Sequence, residues 1–209
     1  MQNFYAYHTD IGIKKKTNQD SLLVKEADTE KGKILLMVIC DGMGGLAKGE
    51  VASASVIHAF DTWFEDELAY VLAEEHVKDQ VEKQWDAIIQ KMNLDITNYG
   101  VRKGIQLGTT VTAFLLLEDG SYVIGHVGDT RLYRITDQSI TQLTADQTFI
   151  AREIREGRMT AEEAKTDPRR NTLLQCVGAS PRVDVDFSQG QAREDDIYML
   201  CCDGFRHVL

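Results

Sequence analysis

The strongest apolar run in the chain covers residues 33–40, where Ile34 to Ile39 are six consecutive apolar residues followed by Cys40. Such a run predicts a strand covered on both faces. Weak alternation over 3–9 and a short run over 21–25 predict two strands ahead of it. Over 48–67, Val51, Ala54, Ile57, Ala59, Phe60, Trp63 and Phe64 recur at helical spacing. Trp85, Ile88, Ile89, Met92, Ile96 and Tyr99 do the same over 84–101, with Gly100 and Gly104 bracketing the end. From residue 109 the period shortens. Strands are predicted over 109–117, 121–127, 131–136 and 139–143, separated by turns at Glu118-Asp119-Gly120, Gly128-Asp129 and Asp137-Gln138. Residues 147–170 turn polar and charged, with two short helices at most. Strands over 173–177, 183–187 and 197–202 follow.

Strands outnumber what a parallel doubly wound sheet needs, and the two long helices come in tandem. This predicts an α+β fold of antiparallel sheets flanked by helix pairs. The 209 residues suit one domain or at most two, and only 2 prolines argue against a Pro-rich linker. No internal repeat is present. The chain stops at Leu209 just as a new element begins, so it is expected to be cut short of the natural end of its domain.

The net charge of -10, with no basic patch to offset it, argues against nucleic acid and anionic membranes as partners. Solubility alone explains such a charge, and a site crowded with aspartates would add to it. No apolar run approaches the roughly 20 residues that span a bilayer. The start, Met1-Gln2-Asn3-Phe4-Tyr5, carries no basic segment followed by an apolar stretch. A cytoplasmic protein is expected. The four cysteines at 40, 176, 201 and 202 lack zinc-ligand spacing and read as small core residues of a reducing compartment.

Candidate chemistry lies at strand ends. Asn18-Gln19-Asp20, Asp41-Gly42, Gly128-Asp129-Thr130-Arg131 and Cys202-Asp203-Gly204 each set an aspartate beside a strand, and three of these aspartates touch a glycine. Asp41 opens the sequence Asp41-Gly42-Met43-Gly44-Gly45, where glycines let the backbone approach a ligand closely. Carboxylates gathered at one end of a sheet repel unless cations neutralise them. Carboxylate and carbonyl oxygens suit magnesium or manganese. Two such ions roughly 3.5–4 Å apart can lower the pKa of a shared water and aim it at phosphorus. Any one Asp-Gly is most often a turn. The order of the set carries the weight.

Eight pieces in that order resemble the metal-dependent serine/threonine protein phosphatases of type 2C, in their compact bacterial form. They are Thr9-Asp10-Ile11-Gly12, Asn18-Gln19-Asp20-Ser21, Asp41-Gly42-Met43-Gly44-Gly45, Gly108-Thr109-Thr110, Gly125-His126-Val127-Gly128-Asp129-Thr130-Arg131, Leu143-Thr144-Ala145-Asp146, the 171–178 segment, and Leu200-Cys201-Cys202-Asp203-Gly204. The resemblance covers nearly the whole chain. It implies one catalytic domain over 1–209, a sandwich of two antiparallel sheets with a helix pair on each outer face, and a centre of two Mn²⁺ or Mg²⁺ ions at one end. It implies that Asp41 bridges both ions, that the Gly42 carbonyl binds the second and that Asp203 ligates the first. Asp20 then holds metal-bound waters, Asp129 serves a third, weaker metal site, and 147–170 is a flap beside the active site. Asp20, Asp41 and Asp203 form the implied catalytic set. The implied reaction is hydrolysis of phosphoserine and phosphothreonine in proteins by a hydroxide bridging the two ions, with no phospho-enzyme. A cognate serine/threonine kinase is the implied partner, and a monomer is expected.

The sequence departs from that pattern in three places. Lys15 stands where the family has an arginine that clamps the substrate phosphate, and lysine is a point charge without the bidentate fork. A solvated basic loop, Lys14-Lys15-Lys16, is the other reading. His207 stands where the family places an aspartate of the third site. The family's last metal aspartate, in an Asp-Asn context, lies beyond Leu209. Of the remaining polar residues, His126 reads as a satisfied core or site-supporting group, Asp146 as a helix cap, and His58 and His76 as residues at helix surfaces or core edges. Two rivals stand beside the enzyme. One is a catalytically weak or inactive pseudo-phosphatase that binds phosphoproteins. The other is a nucleotide-binding protein using 42–45, opposed by the absence of a following Lys-Ser/Thr.

Overall fold

The computed structural model describes residues 3–13, 16–43 and 48–206. A hairpin of β1 (Asp20–Thr29) and β2 (Gly32–Asp41) opens the ordered core, followed by helices α1 (Gly49–Asp66), α2 (Leu68–Ala73) and α3 (Val77–Lys103). Four strands follow: β3 (Val111–Leu116), β4 (Ser121–Val127), β5 (Arg131–Ile135) and β6 (Ile140–Gln142). Then come α4 (Phe149–Arg155), α5 (Ala161–Thr166), β7 (Asp186–Gln191), β8 (Ile197–Cys201) and α6 (Asp203–Arg206). All strand pairs are antiparallel and form a five-stranded sheet, β1-β2-β3-β4-β7, and a three-stranded sheet, β6-β5-β8.

The period of two along β2 explains the layering. Ile34, Leu36, Val38 and Cys40 pack in one buried cluster with Val56, Phe60 and Trp63 of α1 and Trp85 and Ile89 of α3. Leu35 and the half-buried Met37 face the other way, into a second cluster with Phe114, Ile124, Leu132 and Leu200 that lies between the sheets. One sheet is thus sandwiched between a helix pair and a second sheet, which is why β2, β3 and β4 read as apolar runs rather than alternations. Trp85 anchors the helix layer, with Phe60 and Trp63 edge-on to it at ring separations of 5.4 and 5.5 Å.

Four expectations change. Residues 3–11 form no strand, and side chains 4–13 are exposed. In the sheet order β1 has only β2 as a neighbour, so the alternation at 3–9 adds no strand to the open edge of β1. Residues 173–177 supply only isolated bridges, Thr148 to Leu173 and Thr109 to Val177. The strand expected over 183–187 lies instead at Asp186–Gln191. It pairs with β4 on one side only, so its sequence, Asp-Phe-Ser-Gln-Gly-Gln, tolerates the polarity of an edge strand and escapes a search for apolar runs. The helix α3 starts at Val77, ahead of the expected 84; its first turns carry only Val77 and Val81 as apolar residues, too few to show a helical period. The two short helices within 147–170 are present as α4 and α5. Among the described residues, no helix is long and apolar enough to cross a membrane.

Candidate metal centre

Asp20 is the first residue of β1 and Asp41 the last of β2, and the register sets them directly opposite each other. Opposed residues on one face bring their Cβ atoms to about 4.5–5.5 Å, and like charges placed so are destabilising. A carboxylate oxygen of Asp20, one of Asp41 and the Cys202 sulfur all lie within 4.8 Å of one another, each residue half-buried. Two anions held together by backbone register form a site that a hard cation relieves.

The backbone around the pair is tied on every side. The Asp41 N–H donates to Thr110 Oγ1 at 2.9 Å, and the Asp41 carbonyl accepts from Thr109 Oγ1 at 2.9 Å and from the Thr110 N–H at 3.0 Å. The Gly42 N–H donates to the Gln19 carbonyl and the Met43 N–H to the Gly108 carbonyl, both at 3.0 Å. A Cβ on Gly42 would stand 2.4 Å from the Gly49 carbonyl oxygen and 2.5 Å from that of Gln19, so only glycine lets the strand exit pass between β1 and the start of α1. From α1, Ser53 donates its hydroxyl to the Gln19 carbonyl at 2.7 Å and meets Ser21 Oγ at 2.9 Å.

A second row, polar beyond Ile39, lies one step inside the first. Ile39, Thr112, His126 and Asp186 are successive cross-strand partners. His126 is 1% exposed. Its Nε2 lies 3.1 Å from the Ala145 carbonyl, which only accepts, so Nε2 carries the proton and Nδ1 accepts from Thr112 Oγ1 at 2.9 Å. Thr112 in turn meets Thr130 Oγ1 at 2.7 Å. Burial holds the imidazole below its ordinary pKa. His126 is therefore a satisfied interior group.

The remaining candidates are placed as follows. Asp129 is half-buried in the β4–β5 turn. Gly128 there has φ +108, and a Cβ on it would lie 2.6 Å from Thr110 Cγ2, so the turn rests on the residue that bonds Asp41. Asp203 opens α6, half-buried. Neither Asp129 nor Asp203 belongs to the group within 4.8 Å. Lys15, Gly44, Gly45 and His207 lie outside the described residues. Asp146 is no helix cap. It accepts a fork from Arg131, Nε to Oδ1 at 2.8 Å and Nη2 to Oδ2 at 2.6 Å. Thr148 caps α4 instead, accepting from the Ala151 N–H at 3.2 Å.

Cys40, Cys176 and Cys201 are buried as core residues, but Cys202 is not one. The strand β8 ends at Cys201, so Cys202 leaves the ladder and turns to the acidic pair. Burial, then the hydrogen bond to Asp20, push its thiol up to about 12. The two carboxylates offer hard oxygen donors beside that sulfur. With the Gly42 carbonyl, that hard-oxygen set fits magnesium or manganese. Periodicity could not reveal Thr110 or Cys202, whose parts depend on cross-strand register.

Residues 12–207 match the family model described as protein phosphatase 2C. The chain is 33% identical over 202 residues to the serine/threonine protein phosphatase PstP of Mycobacterium tuberculosis, which covers 96% of this chain and 36% of that protein. The chain thus spans about a third of that relative's length. The serine/threonine phosphatase Stp1 from Staphylococcus aureus superposes with a TM-score of 0.81 at 33% identity, over 94% of this chain and 74% of that one. The catalytic domain of PstP in complex with two manganese ions superposes at 0.73 with 31% identity, over 94% of this chain and 76% of that one. The chain belongs to the protein phosphatase 2C family, whose relatives named above are serine/threonine phosphatases.

Proposed function

We propose that this chain hydrolyses phosphoserine and phosphothreonine in proteins with the help of two divalent metal ions. The observation that carries the reading is the register-enforced pairing of Asp20 and Asp41 beside the close-packed Gly42 backbone. In this reading Asp41 and the Gly42 carbonyl hold the ions, Asp203 completes one of them and Asp20 orients the waters around them. Asp129 serves a third, weaker site. Bound Mn²⁺ or Mg²⁺ supplies a water of lowered pKa as the nucleophile and positive charge for the phosphoryl oxygens. The chain's own contribution is orientation. Thr109 and Thr110 clamp both backbone groups of Asp41, so its carboxylate is aimed without reorganisation. A covalent route through cysteine is disfavoured, since Cys40, Cys176 and Cys201 are buried in the core, away from any incoming substrate.

Residues 12–207 match the family as one stretch, which supports reading the chain as a single catalytic domain; 147–170 is assigned as its flap. Lys15 is assigned to the substrate phosphate. Phosphoproteins, a cognate serine/threonine kinase among them, are the proposed substrates of a monomeric enzyme. The position of Asp203 outside the three-residue group favours one rival, a phosphoprotein-binding module without turnover. Hydrolysis of a phosphothreonine peptide separates the two. Phosphate release with Mn²⁺, stopped by chelator and restored by fresh Mn²⁺, is the expected result. Peptide binding without release establishes the rival.

A further inference from the structure

Gln147, the first residue of the 147–170 segment, is 9% exposed and uses all of its side-chain hydrogen-bonding capacity on three separate parts of the chain. Its Oε1 accepts from the Gly128 N–H at 2.8 Å and from Gln175 Nε2 at 2.9 Å. Its Nε2 donates to Asp186 Oδ2 at 2.8 Å and, more weakly, to the His126 carbonyl at 3.5 Å. Its backbone joins in, the N–H donating to the Gly128 carbonyl and the carbonyl accepting from the Leu174 N–H, both at 2.8 Å. The next residue, Thr148, caps α4. The amide therefore ties the root of α4 to the end of β4, to the start of β7 and to the 173–175 stretch.

The tie leads to the carboxylate pair by two contacts. Gly128, gripped at both its N–H and its carbonyl by Gln147, sits against the Thr110 side chain so tightly that a Cβ would lie 2.6 Å from Thr110 Cγ2. Thr110 Oγ1 accepts the Asp41 N–H at 2.9 Å. An apolar residue of the same size would fill the space but could not hold Gly128 and Asp186 at once. We propose that Gln147 is a positioning residue that couples the placement of the 147–170 segment to the Asp20–Asp41 carboxylates, through Gly128 and Thr110. The proposal rests on the reading above only in taking that pair as the metal site.

The test is Gln147→Glu. It keeps the shape and the Oε1 acceptor but turns the donor toward Asp186 into a second acceptor. Asp186→Asn in the same chain restores a donor opposite an acceptor. Two quantities are read, amide hydrogen exchange over 126–129 and 147–156, and Mn²⁺ affinity by calorimetry. The expected result for Gln147→Glu is faster exchange in both stretches and Mn²⁺ affinity weakened about tenfold, the low end for outer partners of metal ligands. The double variant is expected to return affinity to within about twofold of the parent. Gln147→Met, which removes the four side-chain bonds without opposing charges, is expected to show the same two changes and serves if the glutamate variant does not fold. Faster exchange with unchanged Mn²⁺ affinity, or a loss that Asp186→Asn does not repair, overturns the coupling. Hydrolysis is not among the readings, so failure of this proposal is told apart from failure of the proposed activity.

Discussion

The carboxylate pair and the 147–170 segment are held by opposite means. Asp20 and Asp41 terminate a ten-residue antiparallel ladder, and the Asp41 backbone is bonded by Thr109 and Thr110. The 147–170 segment is held mostly by itself. Thr160 and Glu163 form a capping box, Arg158 forks onto Glu153, Arg169 pairs with Asp167 and stacks over the Phe149 ring at 4.1 Å. Its backbone ties to the body lie at its two ends, through Gln147, Phe149 and the 172–174 stretch. The chemistry is thus carried on a frame that resists displacement. The 147–170 segment rests on local bonds that water and salt weaken.

The sharpest way to break the contrast is to remove the rigid half. Asp41→Ala is expected to lower Mn²⁺-dependent peptide hydrolysis by more than about 100-fold, beyond what loss of an outer partner of a metal ligand costs. Steady-state kinetics would check it. Gly42→Ala is expected to destabilise the fold by about 1–3 kcal/mol through overpacking, because the added Cβ meets two carbonyl oxygens at 2.4 and 2.5 Å. Urea denaturation reads that loss, and weaker Mn²⁺ binding should accompany it. Thr110→Val leaves the Asp41 N–H without its acceptor and should cost about 1–2 kcal/mol.

A smaller effect distinguishes the interior row by pH. Burial depresses the His126 pKa below its ordinary 6.5, so below that value the unfolded chain takes up a proton that the folded chain refuses. Stability is therefore full above pH 6.5 and falls as the pH drops from there toward the depressed value. His126→Gln should flatten that slope in pH-dependent thermal melts. The smallest change is expected in the segment. Arg158 holds Glu153, and Arg169 holds Asp167, at about 2. Their contribution persists at neutral pH and is lost as pH falls from the ordinary carboxylate range through about 2. Glu153→Gln should speed proteolysis within 147–170.

The same contrast decides what the sequence discloses. Strands buried on both faces, such as β2 and β4, announce themselves as apolar runs. The polar edge strand β7 does not, and the alternation at 3–9 misleads because pairing needs a neighbour as well as a pattern. The aspartates at strand ends were legible because four such signals recur beside strands, in one order along the chain. Which of them meet was not. The direct opposition of Asp20 and Asp41 depends on hairpin register, and the approach of Cys202 depends on where β8 stops. Asp146 reads locally as a cap, but its partner Arg131 lies on β5, out of reach of any local rule. Gln147 carries no motif signal. Its importance lies in partners at 128, 175 and 186.

The most direct test of the central claim is calorimetric titration of Mn²⁺ into this chain and into its Asp41→Asn variant, which keeps the side-chain shape and removes the charge. The account predicts saturable binding by the parent and its loss in the variant, with both chains equally folded by circular dichroism. Equal Mn²⁺ binding by the two folded chains would contradict it.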